Sequence, residues 1–409
     1  MIYRIRKKEA TLKGTVRLTP SKSISNRALI IRALCDSPFQ IHNLASANDT
    51  ILLQRLLNST DRKLNAEDAG STFRFLTAFL SQKKAEWLLT GTDRMKQRPI
   101  SILVDTLRKL GAEISYTVKE NYPPLKIKGQ PLKGGAVSID ASVSSQFISA
   151  LLLIAPTLEN GLTLLLEGKI SSRPYILMTL QLMNQFGIQY QWNENVISIP
   201  PQTYRATDFN VENDWSAASY WYEMAAFSNK VDLLIEGLNE NSIQGDSVIP
   251  KMMDVFDVTT TFEKNGIRLT KTGKNLLPKR IFLDFKSYPD LAQTFAVTCA
   301  ALGTEAAFTG VESLRLKETD RLLALQTELK KIGAESEFSN SGFMISRPIN
   351  LQTPNSPLQT HQDHRMAMSL APLALKFGKV EIENPDVVKK SYPEFWEDLR
   401  SVGFEVSEI

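Results

Sequence analysis

Cysteine, histidine and long apolar runs are all scarce in this sequence. Its 409 residues hold two cysteines, Cys35 and Cys299, each set in an apolar, helix-like run (IIRALC and FAVTCAAL). Two such thiols make no disulfide framework, and both are expected to be buried in a reducing compartment. The three histidines, His42, His361 and His364, fall in no HExxH or Cys/His ligand spacing, so no metal is expected. No G-x-x-x-x-G-K-[ST] and no G-x-G-x-x-G opens a helix, which argues against the usual nucleotide-phosphate loops, and no G-x-S-x-G elbow supports a serine hydrolase. No run is long and apolar enough to span a bilayer, and the first residues, MIYRIRKKEATLKG, contain neither an apolar h-region nor a cleavage site. A cytoplasmic chain with no membrane partner is the expectation.

The length instead predicts two or three domains, each able to bury its own core. Hydrophobic residues at 43% and charged residues at 22% are those of an ordinary globular protein. The net charge of +4 is not gathered into a basic tail, so it fits small anionic ligands at least as well as nucleic acid.

The chain also repeats itself. Amphipathic helical patterns end at Gly111, Gly187, Asp257, Gly333 and Gly403, and each is followed by alternating strand residues. The intervals are 76, 70, 76 and 70 residues. A sixth copy, LLQRLLNSTDRKL, turns near Asn58, only 53 residues before Gly111, so the first unit reads as trimmed. More apolar helices precede most of these marks, with short strand candidates such as AEWLLTG, LTLLLEG and VDLLIEG between them. Six α+β units with mixed sheets, grouped three and three, are predicted.

Several of the apolar helices open on polar clusters: SKSISNR, DAGSTFR, SVSSQ, PDLAQ and DHR. A helix N-terminus offers free N–H donors and a partial positive charge, a ready anion site. For any one cluster, helix capping is the commoner reason for the serines. It does not explain Lys22, Arg27, Arg74 and Arg365, whose charges oppose the helix dipole there. In RLKETDRLLAL, Lys317 and Arg321 would share one face if the helix began at the lysine, repelling until an anion lay between them, with Glu318 beside them. The residues alone thus point to a binder of small polyanions that uses Arg, Lys, Ser and helix N-termini, with Glu318 and Asp290 as nearby acids.

Taken in order, PSKSISNRALI, DAGSTFRFLTAFL, RMKQRPI, SVSSQF, SRPYI, VENDWSAASY, SIQGD, YPDLAQTFA, RLKETDRL, DHRMAMSLAPLAL and KKSYPEF resemble the enolpyruvyl transferases, and within them the EPSP synthase family. The resemblance implies an α/β fold of two similar domains, each of three βαβαββ repeats in an inside-out barrel, with the active site in the cleft between them. It places residues 21–212 in the first domain and 1–20 with 213–409 in the second. It implies transfer of the enolpyruvyl group of phosphoenolpyruvate to the 5-hydroxyl of shikimate 3-phosphate by addition and elimination, a step toward chorismate and the aromatic amino acids, by a monomer without a cofactor.

By matching positions, Lys22, Ser23, Arg27, Ser144, Ser145, Gln146, Ser172, Tyr175, Asp290 and Lys317 would hold shikimate 3-phosphate. Lys22, Gly70, Arg98, Gln146, Arg321, Arg365 and Lys390 would hold phosphoenolpyruvate. Asp290 matches the base, Glu318 the group that protonates the methylene carbon, and Lys22 is catalytic. The chain departs from the common pattern at Thr19, where no glycine precedes the first helix, at Asp68, where Asn is common, at Phe75, where proline is common, and at Ser313. Keeping Gly70 implies sensitivity to glyphosate, an anion bearing phosphonate and carboxylate groups. The rival readings are the sister transferase acting on UDP-N-acetylglucosamine, which would carry K-N in place of Lys22-Ser23 and a loop cysteine, and a non-catalytic anion binder of the same fold.

Overall fold

The strand Leu162–Glu167 shows how these sheets arise. Its buried residues alternate (Leu162, Leu164, Leu166) with solvent-facing ones, so one face lies on a core and the other does not. It pairs in parallel with Gly135–Asp140, Val137 opposite Leu164, and antiparallel with Val196–Ile199. A fourth strand, Gln191–Asn193, completes the sheet. Between the parallel strands runs the helix Ser145–Ile154, and after them the helix Arg173–Gln185 leads into the antiparallel hairpin. The sequence of elements is therefore βαβαββ.

This computed structural model describes residues 1–273, 277–339, 342–348 and 350–409. Among the described residues five four-stranded sheets share that strand arrangement; in one of them the last strand is supplied by the N-terminal Ile2–Arg6, and in another the first strand, Thr11–Arg17, is separated from the rest by residues 21–211. The sixth sheet has only two strands, Ile41–His42 and Phe209–Asn210, paired in parallel. It belongs to the trimmed repeat, which passes from the helix Asn48–Leu57 straight to the next unit's strand Lys63–Asn65. The helix-ending residues Gly111, Gly187, Asp257, Gly333 and Gly403 all adopt positive φ, between 63° and 102°. Asn58 does not, at φ −93°, because no hairpin follows it to be turned into.

Contacts divide the chain into two compact units, residues 21–211 and residues 1–20 with 212–409. In the second, split unit the N-terminal strand Thr11–Arg17 lies parallel to Lys230–Glu236, which binds the two chain segments together. In both units the first helix of each repeat is the core element. Trp215–Phe227 and Ala292–Leu302 are buried almost all round, as an apolar helix without a polar stripe must be. The second helices are amphipathic, as in Ser101–Lys109, where Leu103, Val104 and Leu107 face inward. Cys299 is buried as expected, but Cys35 is half-buried at the end of the helix Lys22–Leu34; both are free thiols. Among the described residues no helix is long and apolar enough to cross a membrane.

Candidate active site

In the 21–211 unit the starts of the core helices are tied together by polar side chains. Lys22 opens the helix Lys22–Leu34 and donates from Nζ to Asp49 Oδ2 at 3.2 Å. Thr72 Oγ1 donates to the backbone oxygen of Asp49 at 3.1 Å, which brings in the helix Gly70–Ser81. Gln146 Nε2 donates to Ser71 Oγ at 3.2 Å, which brings in the helix Ser145–Ile154. Of these three helices only the last is capped by a side chain, Ser144 accepting from Gln146 N. Ser21 makes no capping bond and its buried hydroxyl has no partner among the described residues, and Ala69 has no capping group to offer. The first N–H groups at Lys22 and Gly70 are left without side-chain caps, the arrangement that suits an anion.

Cations stand at these ends. A Cβ added to Gly70 would lie 2.8 Å from Arg98 Nη1 and 2.9 Å from Arg74 Nη1, so both guanidiniums crowd the start of that helix. Arg98 is buried and its Nε has no partner among the described residues. Arg27, one turn inside the first helix, donates to Thr179 Oγ1 (2.7 Å), Ser149 Oγ (3.1 Å) and Ser23 O (2.8 Å), and sits 5.4 Å from the Phe75 ring centroid. Three of its five N–H groups are thus used on neutral oxygens. Burial pushes its pKa down to about 10, against the pull of Tyr175. Ser172 takes a left-handed φ of 55° at the start of the helix Arg173–Gln185, which also carries Tyr175. A non-glycine residue pays about 1–3 kcal/mol there, strain of the kind that gathers at binding sites. Ser145, Ser23 and Tyr175 complete the residues expected in this unit. The departing residues lie in the same region. Asp68 is exposed and accepts from Thr92 Oγ1, Glu67 pairs with Arg55, and Phe75 is packed under Arg27.

The split unit solves the same problem with carboxylates. Arg321, 2% exposed, donates from Nε to Asp363 Oδ2 (2.7 Å), from Nη1 to Asp290 Oδ1 (3.2 Å) and from Nη2 to Glu318 Oε2 (2.9 Å). Arg365 donates from Nη2 to Asp290 Oδ2 (2.8 Å), from Nη1 to Asp290 O (3.3 Å) and to Tyr220 Oη (3.4 Å). Asp363 is fully buried, whereas Asp290 and Glu318 keep 20% and 16% of their side chains exposed. Burial would raise the Asp290 carboxyl, but Arg365, Lys317 and Arg321 outweigh it and hold it well below the usual carboxylate range. Arg321 is desolvated as well, yet Asp363, Glu318 and Asp290 raise it above its ordinary value.

One expectation is corrected here. Lys317 and Arg321 do not share a helix face. A 3-10 turn ends at Leu316, Lys317 is extended beyond it, and the helix Arg321–Lys331 starts only after Asp320, which accepts from Leu323 N. The Asp before Arg321 is the better helix start, since a carboxylate at the N-cap satisfies a free N–H. Lys390 ends the 3-10 run Pro385–Lys390, which packs on the helix carrying Arg365. Asp363, Asp49, Ser71 and Tyr220 were not anticipated. Asp363 had a signal, the DHR cluster, but it reads as a helix cap, which it also is (Arg365 N to Oδ1, 2.8 Å). Asp49 has none, being 27 residues from Lys22.

The family model described as EPSP synthase (3-phosphoshikimate 1-carboxyvinyltransferase) matches residues 6–59 and 53–399. A 3-phosphoshikimate 1-carboxyvinyltransferase of Bacteroides fragilis is 46% identical over 395 residues, 96% of each chain. One of Vibrio atlanticus is 36% identical over 422 residues, 95% of this chain and 97% of the relative. Among solved structures, an EPSP synthase from Acinetobacter baumannii superposes with a TM-score of 0.80 at 22% identity, covering 100% of both chains, which shows a common fold.

Proposed function

This chain belongs to the EPSP synthase family, and we propose that the two polar clusters described above are the working parts of that family's reaction in this chain. The reaction transfers the enolpyruvyl group of phosphoenolpyruvate to the 5-hydroxyl of shikimate 3-phosphate and releases phosphate, a transferase step of the shikimate pathway.

The observation that carries it is the state of Arg321 and Arg365. Both are tied to carboxylates, and two of those carboxylates, Asp290 and Glu318, are the ones left partly open to solvent. Asp363 stays beneath as a fixed counter-ion. Asp290 and Glu318 are stand-ins for substrate anions, and an arriving carboxylate or phosphate takes over the guanidinium N–H groups, which suit its planar, paired oxygens. Released from two arginines, Asp290 gains proton affinity and becomes a usable base.

The acceptor hydroxyl then adds to C2 of phosphoenolpyruvate and gives its proton to Asp290. Glu318, displaced from Arg321 by the arriving anions and protonated in the closing site, delivers its proton to C3, which becomes a methyl group. In the second step the bond from C2 to the phosphate oxygen breaks, C3 returns a proton to the Glu318 carboxylate, and phosphate leaves with the proton held by Asp290 as the enol ether forms. Lys22, Arg27, the serines 23, 144, 145 and 172, Gln146, Tyr175 and Lys317 would hold shikimate 3-phosphate. Gly70, Arg98, Arg321, Arg365 and Lys390 would hold phosphoenolpyruvate, with Lys22 and Gln146 touching both. Proton transfer supplies about 10²–10⁴-fold. Orientation and charge stabilisation must supply the rest. The protein is taken to act as a monomer in the cytoplasm, where its phosphorylated substrates are made.

Phosphate release tests the reading. The purified protein is given phosphoenolpyruvate with either shikimate 3-phosphate or UDP-N-acetylglucosamine. Release with the first acceptor alone is expected. Release only with the second overturns it, and release with neither leaves an anion binder without chemistry.

A further inference from the structure

The trimmed repeat leaves a cavity behind it. In the complete repeats a hairpin follows the second helix, but after Asn48–Leu57 the chain runs through residues 58–62 directly into the next sheet. A cavity of about 390 Å³ lies at that point. The C-terminal ends of the helices Lys22–Leu34 and Asn48–Leu57, the helix Gly70–Ser81 and Trp87 line it, and it opens in part to solvent. Its walls are more apolar than polar, with Leu29, Leu56, Leu76 and Phe79 among them and Asn58 and Ser59 at the loop.

Its charge is one-sided. The lining contains Arg32 and Lys83 and no Asp or Glu. Arg32 is half-buried, and no hydrogen bond or ion pair engages it among the described residues. Lys83 Nζ lies 4.9 Å from the Phe79 ring centroid. Trp87 is held by its indole N–H, which donates to Lys83 O at 3.0 Å, and Arg62 stands 4.5 Å from its ring centroid. Lys83 and Arg62 thus stand over Phe79 and Trp87, two rings of the wall, and Arg32 lies in the same lining. The dipole of its helix explains why Arg32 is tolerated in the last turn. It does not explain the open apolar volume beside it.

We propose that this cavity binds a small amphipathic anion, one or two aromatic rings carrying a single carboxylate or sulfonate. The volume lies in the range of small-ligand pockets, and an apolar body with one polar anchor is what such a lining selects. Phosphoenolpyruvate and shikimate 3-phosphate do not fit it, having two charged groups each and no apolar ring to bury. The site is also remote from theirs within this unit. Arg32 is ten residues from Lys22 along one helix, about 15 Å at 1.5 Å per residue.

The probe is 8-anilinonaphthalene-1-sulfonate, with the uncharged N-phenyl-1-naphthylamine as control. Both are titrated into the full chain by calorimetry and tryptophan fluorescence, with and without saturating shikimate 3-phosphate. One-to-one sulfonate binding is expected, with quenching that disappears in Trp87→Phe. Arg32→Glu should weaken the sulfonate at least tenfold and the uncharged control by much less, while turnover stays unchanged. Ala33→Trp, which fills the cavity, should abolish binding of both; Arg32→Glu keeps the test decisive where that variant fails to fold. Absence of binding overturns the proposal. So does sulfonate binding that shikimate 3-phosphate displaces, or that is indifferent to Arg32→Glu.

Discussion

Arg27 and Arg321 are both buried arginines near helix starts, yet they are kept in different ways. In the 21–211 unit Arg27 rests on two hydroxyls, a backbone oxygen and the face of Phe75, with no carboxylate bonded to it among the described residues. In the split unit Arg321 is held by three carboxylates. Burial consequently lowers the proton affinity of Arg27, whereas the carboxylates raise that of Arg321 above its ordinary value despite burial. Neutral partners leave a net positive charge in place, which an anion can neutralise on arrival. Carboxylate partners neutralise the charge beforehand, and an anion must exchange with one of them. The first arrangement favours binding. The second couples binding to a change in the acids proposed for the chemistry, Asp290 and Glu318.

The largest expected effect comes from removing the fixed counter-ion. Asp363→Asn leaves Arg321 with one fewer buried charge partner and should cost about 3–5 kcal/mol in urea unfolding. Thr179→Val, which strips a neutral partner from Arg27, should cost less, about 1.5–3 kcal/mol. Equal costs would erase the distinction between the units. Next in size is Glu318→Gln, for which kcat should fall by roughly 10²-fold or more, with shikimate 3-phosphate affinity little changed. Near-normal turnover would remove Glu318 from the chemistry.

A smaller effect is expected at Gly70. The parent should be inhibited by glyphosate in competition with phosphoenolpyruvate. In Gly70→Ala the new methyl group meets the ends of Arg98 and Arg74, which are side chains able to yield, so inhibition should be lost with only a modest rise in KM. A parent that resists glyphosate while turning over well would shift the weight to Asp68 and Phe75. The smallest effect is on acid stability. The folded Asp290 carboxyl lies below its unfolded value near 4. Its contribution is therefore present above about pH 4 and is lost as pH falls toward the folded value. The gap in thermal midpoint between parent and Asp290→Asn should shrink below about pH 4. A gap that widens there would reverse the assigned sign.

The repeat was legible because its helix stops need left-handed backbone, and glycine or Asp at those positions leaves a mark in the chain. The missing hairpin was legible as a short interval, though not the cavity it leaves, which depends on how three helices end together. The site's cations were legible because each sits in a short contiguous cluster. Their counter-ions were not. Asp49 reaches Lys22, and Asp363 reaches Arg321, across 27 and 42 residues, and no local pattern encodes such a pairing. The start of the helix at Arg321 is marked by Asp320, an ordinary N-cap, and not by the charges of Lys317 and Glu318 before it.

Asp290 is the proposed stand-in counter-ion of Arg321 and Arg365 until substrate anions replace it. The direct measurement is carbon-13 carboxyl NMR on aspartate-labelled protein, with Asp290→Asn identifying the resonance, titrated in pH with and without shikimate 3-phosphate plus glyphosate. The account predicts that Asp290 stays ionised well below the usual carboxylate range in the free protein and that its midpoint moves upward in the complex. A midpoint unchanged by the ligands, or already in the ordinary range without them, would contradict it.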